Sequence, residues 1–274
     1  MSGKPFRFAV QATPQDAAQW LATARRAEEL GYSTLLMPDG MQLLSPLPAL
    51  ALAAGATTSL HVGTWVLASP LRPPRLAAWD AHSLSVLTGG RFELGIGTGR
   101  PEVVEQSVKL AGQPPTSGAQ RLALAGQTID ALRELDGEGH TPVLMAAGGP
   151  RARAVAAAKA DAVTLAIGPL ARREEAARLV AEIRDAAGTR AGSIEFAAPI
   201  FVVGDEVPPW MTRFMQADFA SLIEADSLSI LRGSPREMAD ELERRREAIG
   251  LSYIGVNAAF CEQFAPVVEL LAGR

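Results

Sequence analysis

The chain is poor in the residues that most readily announce a chemistry. One cysteine, Cys261, in 274 residues excludes an internal disulfide and a thiolate-rich metal site. Only three histidines are present, His61, His82 and His140, and they stand far apart, with no carboxylate cluster at ligand spacing beside them. Aromatic residues make up 5% of the chain, and of 26 basic residues only Lys4, Lys109 and Lys159 are lysines. A formal net charge of -4 gives no basic footprint for nucleic acid and no polybasic patch for a membrane surface. No apolar run approaches the roughly 20 residues of a spanning helix, and none near the N-terminus resembles a signal peptide. These absences predict a cytoplasmic protein that works on a small molecule without a metal. The scarcity of lysine and the abundance of alanine point to a GC-rich bacterial genome.

What is present is a core. With 48% hydrophobic and 20% charged residues, the chain can fill one large α/β domain spanning residues 1–274. The most informative stretch runs from Thr141 to Arg151 and on to Ala166: an apolar strand, the turn Gly148-Gly149, Pro150 at the first position of an alanine-rich helix, and a second apolar strand. That is a βαβ unit, which requires a parallel sheet. Two glycines without Cβ let backbone N–H groups approach an anion at the positive helix start, or simply make a tight turn.

The rest of the chain repeats the alternation. Strands are expected at Phe6–Gln11, Ser33–Met37, His61–Leu67, Gly89–Gly95, the two just named, Ser193–Val203 and Leu251–Asn257, with helices at 14–30, 46–57 and 73–87 and a last one ending at Leu271. Eight strand–helix alternations in this length predict an α/β fold of the (β/α)8 TIM barrel kind, for which about 250 residues is typical. A doubly wound sheet is the alternative. Its dinucleotide fingerprint is imperfect, because in Gly95-Ile-Gly97-Thr-Gly99-Arg100 the last glycine is replaced by Arg100. From Pro101 to Gly118 the prolines predict a loop rather than a regular helix. From Gly204 to Gly233 a helical insertion is expected, and Ser234-Pro-Arg-Glu237 is a capping box.

In such a barrel the functional residues follow the strands: Gln11, Asp39 with Gly40, Trp65 to Ser69, Thr98 to Glu102, Ala146 to Pro150, and Ile167 with Gly168. No histidine lies in these loops, so a Ser-His-Asp arrangement is excluded. His61 and His140 precede strands and face the opposite end, and His82 sits on a helix. Asp39 is either a proton carrier or a turn cap. Arg100 either grips a carboxylate or phosphate or stands in solvent. Trp210, Phe214 and Phe219 read as packing or as a ligand wall. One anion site with little acid–base equipment suits chemistry carried by an organic cofactor.

Several motifs carry a family resemblance: Ala24 to Asp39, Val62-Gly-Thr-Trp-Val-Leu67, Leu87 to Gly99, Met145-Ala-Ala-Gly-Gly-Pro150 and Ser234 to Gly255. In this order they resemble the luciferase-like monooxygenase superfamily, specifically its oxidoreductases dependent on the deazaflavin coenzyme F420. The resemblance implies a (β/α)8 barrel with Gly148 and Gly149 on the cofactor phosphate, Ala147 beside them, and Trp65-Val66 where the family often has a non-prolyl cis peptide against the ring. It further implies cofactor contacts from Gln11, Asp39, Thr98, Gly99 and Gly168, hydride transfer as the chemistry, and a possible homodimer. The chain departs from the pattern at Gly40, where alcohol- and sugar phosphate-oxidising members have a histidine, and at Arg100, which stands at an acidic proton-donor position. The stretch between the fourth and fifth strands is shortened. Reduction of an activated C=C or C=N bond is therefore expected, with Arg100 holding an acidic substrate and Asp39, Glu102 or water supplying the proton. An FMN-dependent monooxygenase and a degenerate ligand-binding relative are the competing expectations.

Overall fold

Apolar runs and helical spacing alternate along the chain, and the backbone follows them. The computed structural model describes residues 4–274. β1 (Arg7–Gln11) leads through α1 (Ala17–Glu29) to β2 (Thr34–Met37), and α2 (Pro46–Gly55) leads to β3 (His61–Thr64), β4 (Leu67–Ala68) and α3 (Pro74–Leu87). β5 (Phe92–Gly97) is followed by α4 (Pro101–Leu110) and α5 (Gly118–Asp136), then β6 (Val143–Ala147), α6 (Pro150–Lys159), β7 (Ala162–Leu165) and α7 (Arg173–Ala187). β8 (Glu195–Ile200) and β9 (Val202–Val203) precede α8 (Pro209–Met215), α9 (Phe219–Glu224) and β10 (Ile230–Leu231). The chain closes with α10 (Pro235–Ala248), β11 (Leu251–Asn257) and α11 (Cys261–Leu271).

The sheet runs β3-β2-β1-β11-β8-β7-β6-β5-β4, every pairing is parallel, and a further β3–β5 pairing closes it. β3 and β4 are one strand interrupted at Trp65-Val66, so the barrel has eight positions, as the alternation predicts. The strands are buried along most of their length, which is why they read as apolar runs rather than alternating ones. Helix starts follow local chemistry. Asp16 accepts the Gln19 N–H at 2.8 Å, and the Ser234–Glu237 capping box forms as expected.

One expectation fails. Residues 101–110 form a helix, not a loop. Pro101 occupies the first turn, where its missing N–H costs nothing, Glu102 complements the helix dipole, and Val104 and Val108 pack on Ala68 and Leu71. The helix is tied to the β2 loop through Ser107, whose Oγ accepts the Met41 N–H at 3.0 Å. The insertion after the seventh strand is helical as expected, and it also contributes β10, which pairs with β9. Among the described residues no helix is long and apolar enough to cross a membrane.

Inside the barrel, below the strand ends, lies a polar network. Arg7 binds Glu93 at 2.9 Å and Glu195 at 2.8 Å, and the buried Tyr253 hydroxyl donates to Glu93. Burial acts to lower the Arg7 pKa, but the surrounding Tyr253, Glu93 and Glu195 outweigh it and hold the guanidinium charged. Burial pushes the Glu195 carboxyl up against the opposing pull of Arg7. A cavity of about 460 Å³ bordered by Phe6, Arg7, Ser33 and Glu195 opens beneath this network, at the end of the barrel remote from the strand C-termini.

Candidate functional site

The strand C-termini gather the residues that the sequence singles out. At the end of β1, Gln11 buries its Nε2 with no hydrogen-bond partner among the described residues. Leaving a buried amide donor unpaired costs roughly 1–3 kcal/mol, so the atom marks a place where a polar ligand group fits. At the β3–β4 junction the Trp65-Val66 peptide bond is cis. The Trp65 N–H donates to the Met37 carbonyl at 2.9 Å, and its ring stands edge-on to Tyr253 at 5.9 Å. The bulge therefore rests on the polar network in the barrel core.

Glycines around the bulge are required by crowding. A Cβ at Gly95 would lie 1.7 Å from the Thr64 carbonyl oxygen, and one at Gly97 would lie 3.1 Å from Val66 Cγ2. Gly99 has φ +72 and a side chain there would meet Val104 at 2.2 Å. These residues bring the end of β5 against the bulge, with Thr98 half-buried above it.

After β6 the Gly148-Gly149 turn opens α6. A Cβ on Gly148 would approach the Ala166 carbonyl oxygen to 3.1 Å, whereas Gly149 and Gly168 face open space. Gly149 is the N-cap of α6 with extended backbone, Pro150 follows, and no side chain caps the helix. First-turn N–H groups are thus left facing a space bordered by glycine, the arrangement that takes an anion. Arg153 holds the turn from the helix side by donating to the Gly148 carbonyl and to Glu182 Oε2 at 2.6 Å.

Asp39 has a definite role. Its carboxylate, 3% exposed, receives both Arg72 terminal nitrogens at 2.7 and 3.1 Å and the Ala68 N–H at 3.0 Å. With both oxygens engaged by a cation and a backbone donor it is a carboxylate clamp between the β2 loop and β4. Arg72, 33 positions away, is the partner that spacing along the chain could not reveal. Arg100 and Glu102 are exposed at the start of α4, and the Arg100 guanidinium lies over the Phe214 ring at 4.7 Å. The histidines stay outside the site: His61 is exposed at the start of β3, His82 Nδ1 lies 2.9 Å from Asp136, and His140 Nε2 lies 3.0 Å from Asp161.

The chain thus forms a closed parallel (β/α)8 barrel with an uncapped, glycine-bordered turn after β6 and an interruption between β3 and β4. The luciferase-like monooxygenase family model matches residues 4–208, and the chain belongs to that family. Family members are oxidoreductases and monooxygenases. The 5,10-methylenetetrahydromethanopterin reductase of Methanolobus tindarius is 25% identical over 177 residues, which covers 58% of this chain and 53% of that protein. The chain spans 40% of the length of three mycobacterial relatives. Among solved structures, an F420-dependent secondary alcohol dehydrogenase with an F420-acetone adduct superposes with a TM-score of 0.76 at 15% identity, covering 97% of this chain and 98% of that one. The oxygenating constituent of 3,6-diketocamphane monooxygenase from Pseudomonas putida, in complex with FMN, gives a TM-score of 0.71 at 15% identity and 98% coverage of both chains. At such identities these likenesses establish the fold.

Proposed function

We propose that the protein is an oxidoreductase that uses coenzyme F420 to reduce an activated C=C or C=N bond in a small acidic metabolite. The observation that carries this reading is the pairing of an uncapped, glycine-bordered helix start with an unpaired buried Gln11 amide on the same rim of the barrel. A phosphate-bearing cofactor with a polar ring fits both features. Gly148, Gly149 and Ala147 would hold its phosphate end, and Gln11, Trp65, Val66, Thr98, Gly99 and Gly168 the remainder. When bound, a deazaflavin supplies a hydride to one atom of the double bond.

The chain's own residues then have separable tasks. Asp39 and Arg72 fix the β2 loop beside the bulge. Arg100, which among the described residues has no cap or carboxylate contact at the helix start, takes the substrate's acid group bidentately. With Asp39 committed to Arg72, the proton for the second atom of the double bond comes from Glu102 or from water, both accessible at the exposed start of α4. Gly40 supplies no base there, which favours reduction over alcohol oxidation.

The test is a fluorescence titration of the purified protein with oxidised F420 and, separately, with FMN. Micromolar binding of F420 alone, weakened at least about tenfold in Gly149→Asp, supports the reading, since a carboxylate in that open space repels an anion. Binding of FMN alone supports the monooxygenase alternative, which the same turn could serve. Binding of neither refutes both.

A further inference from the structure

One cluster at the barrel mouth is not used by cofactor binding. Arg100 directly follows the β5 loop, and its guanidinium stacks at 4.7 Å on Phe214 of α8. Phe214 meets Phe201 edge-on at 5.5 Å and 71°, and Phe201 is the residue after β8. In the barrel β5 and β8 are separated by β6 and β7. The contact therefore spans the sector of the rim whose loops carry Gly148, Gly149 and Gly168.

The helix that presents Phe214 is anchored by its other side. Met211 and Met215 are buried, while Trp210 and Phe214, one turn apart and so on one face, are 45% and 47% exposed. The Arg100 guanidinium has no carboxylate partner among the described residues, and the Trp210 and Phe214 rings keep nearly half of their surface open. Together they form a two-part recognition surface: a flat π face and a planar cation with a bidentate fork. An aromatic ring can lie offset on Phe214 while its acid group takes the fork of the neighbouring Arg100.

We propose that Arg100 and Phe214 together set the substrate class as planar, conjugated or aromatic carboxylic acids, with Phe214 the specificity-determining residue for the ring. This rests on the reading of the barrel mouth as the active site and adds the ring to the acid group already assigned to Arg100. Saturated acids of equal charge would satisfy Arg100 but gain no ring stacking from Phe214 or Trp210.

The experiment is isothermal titration of the full chain, with and without oxidised F420, using three probes: cinnamate, cinnamamide and 3-cyclohexylpropanoate. Cinnamate is expected to bind more tightly than either of the others. Phe214→Leu should weaken cinnamate by about tenfold while changing 3-cyclohexylpropanoate by less than about twofold, because only the aromatic ring loses stacking. Arg100→Gln should weaken both acids by about tenfold or more and leave cinnamamide unchanged. Circular dichroism of both variants checks that the fold is intact. Unchanged cinnamate affinity in both folded variants overturns the proposal. So does equal binding of cinnamate and cinnamamide, or no binding of any probe by a protein that takes up F420. If the probe pattern holds but neither F420 nor FMN binds, the substrate assignment stands and the cofactor reading falls.

Discussion

Removing the Asp39 carboxylate distinguishes a structural clamp from a proton carrier. Asp39→Ala leaves Arg72, whose side chain is 21% exposed, without its bidentate partner and leaves the Ala68 N–H without an acceptor. Breaking a buried ion pair by deleting one partner costs about 3–5 kcal/mol. Partial exposure of Arg72 lets water recover some of its solvation, so the lower end, near 3 kcal/mol, is expected. At about 2–4 °C per kcal/mol for a domain of this size, the melting temperature should fall by roughly 6–12 °C. Asp39→Asn keeps an acceptor for the Ala68 N–H and should lose about half as much. Replacing both partners, as Asp39→Asn with Arg72→Met, should cost less than the sum of the single changes, because no lone charge remains. Thermal unfolding followed by circular dichroism, with urea unfolding as a second measure, reads wild type and the four variants, the single Arg72→Met included. If Asp39→Ala unfolds within 1 °C of wild type, the clamp reasoning is wrong, and an aspartate that is dispensable for stability would again be a candidate proton donor.

Two further outcomes follow from the geometry. Gly95→Ala would place a Cβ 1.7 Å from the Thr64 carbonyl oxygen, backbone that cannot move without breaking the β3–β5 closure. Its expected cost exceeds about 4 kcal/mol, seen as insoluble expression or loss of the cooperative transition, whereas Gly126→Ala in α5, where nothing lies near the new Cβ, should fold normally. Glu28 is held at about 2 by hydrogen bonds from the Ser59 N–H first, then from Leu60 and Thr58, against an ordinary value of 4.5. Its folded pKa is depressed, so its contribution is present above pH 4.5 and lost as the pH falls toward 2. Glu28→Gln should flatten the acid limb of the stability curve in that window while leaving its shape above pH 5 unchanged, and a wild-type-like acid limb would refute the assignment.

Much of the architecture was legible because the barrel is built from local signals. Apolar strands, Pro150 at a helix start and the Ser234–Glu237 box each act within a few residues, and their eightfold alternation leaves few topologies that bury every strand. The segment from Pro101 to Gly118 shows the limit. Its prolines read as breakers, yet Pro101 sits where a helix tolerates proline, and the helix is held by Val104 and Val108 on Ala68 and by Ser107 on the β2 loop. Those contacts join residues that are distant in the chain.

The sequence by itself determined the parallel barrel, the glycine turn after β6 and the absence of a histidine base at the strand ends, since each depends on residue type and spacing alone. Only the tertiary structure decided what the polar side chains do. Asp39 became a clamp because Arg72 arrives from 33 residues away, and Arg100 met Phe214 across the mouth because barrel closure sets the β5 and β8 loops on one rim. The Arg7, Glu93, Glu195 and Tyr253 network beneath the bulge likewise joins four separate strands. A side chain's charge is written in the sequence, but its partner is chosen by the register and closure of the sheet, and those are properties of the whole chain.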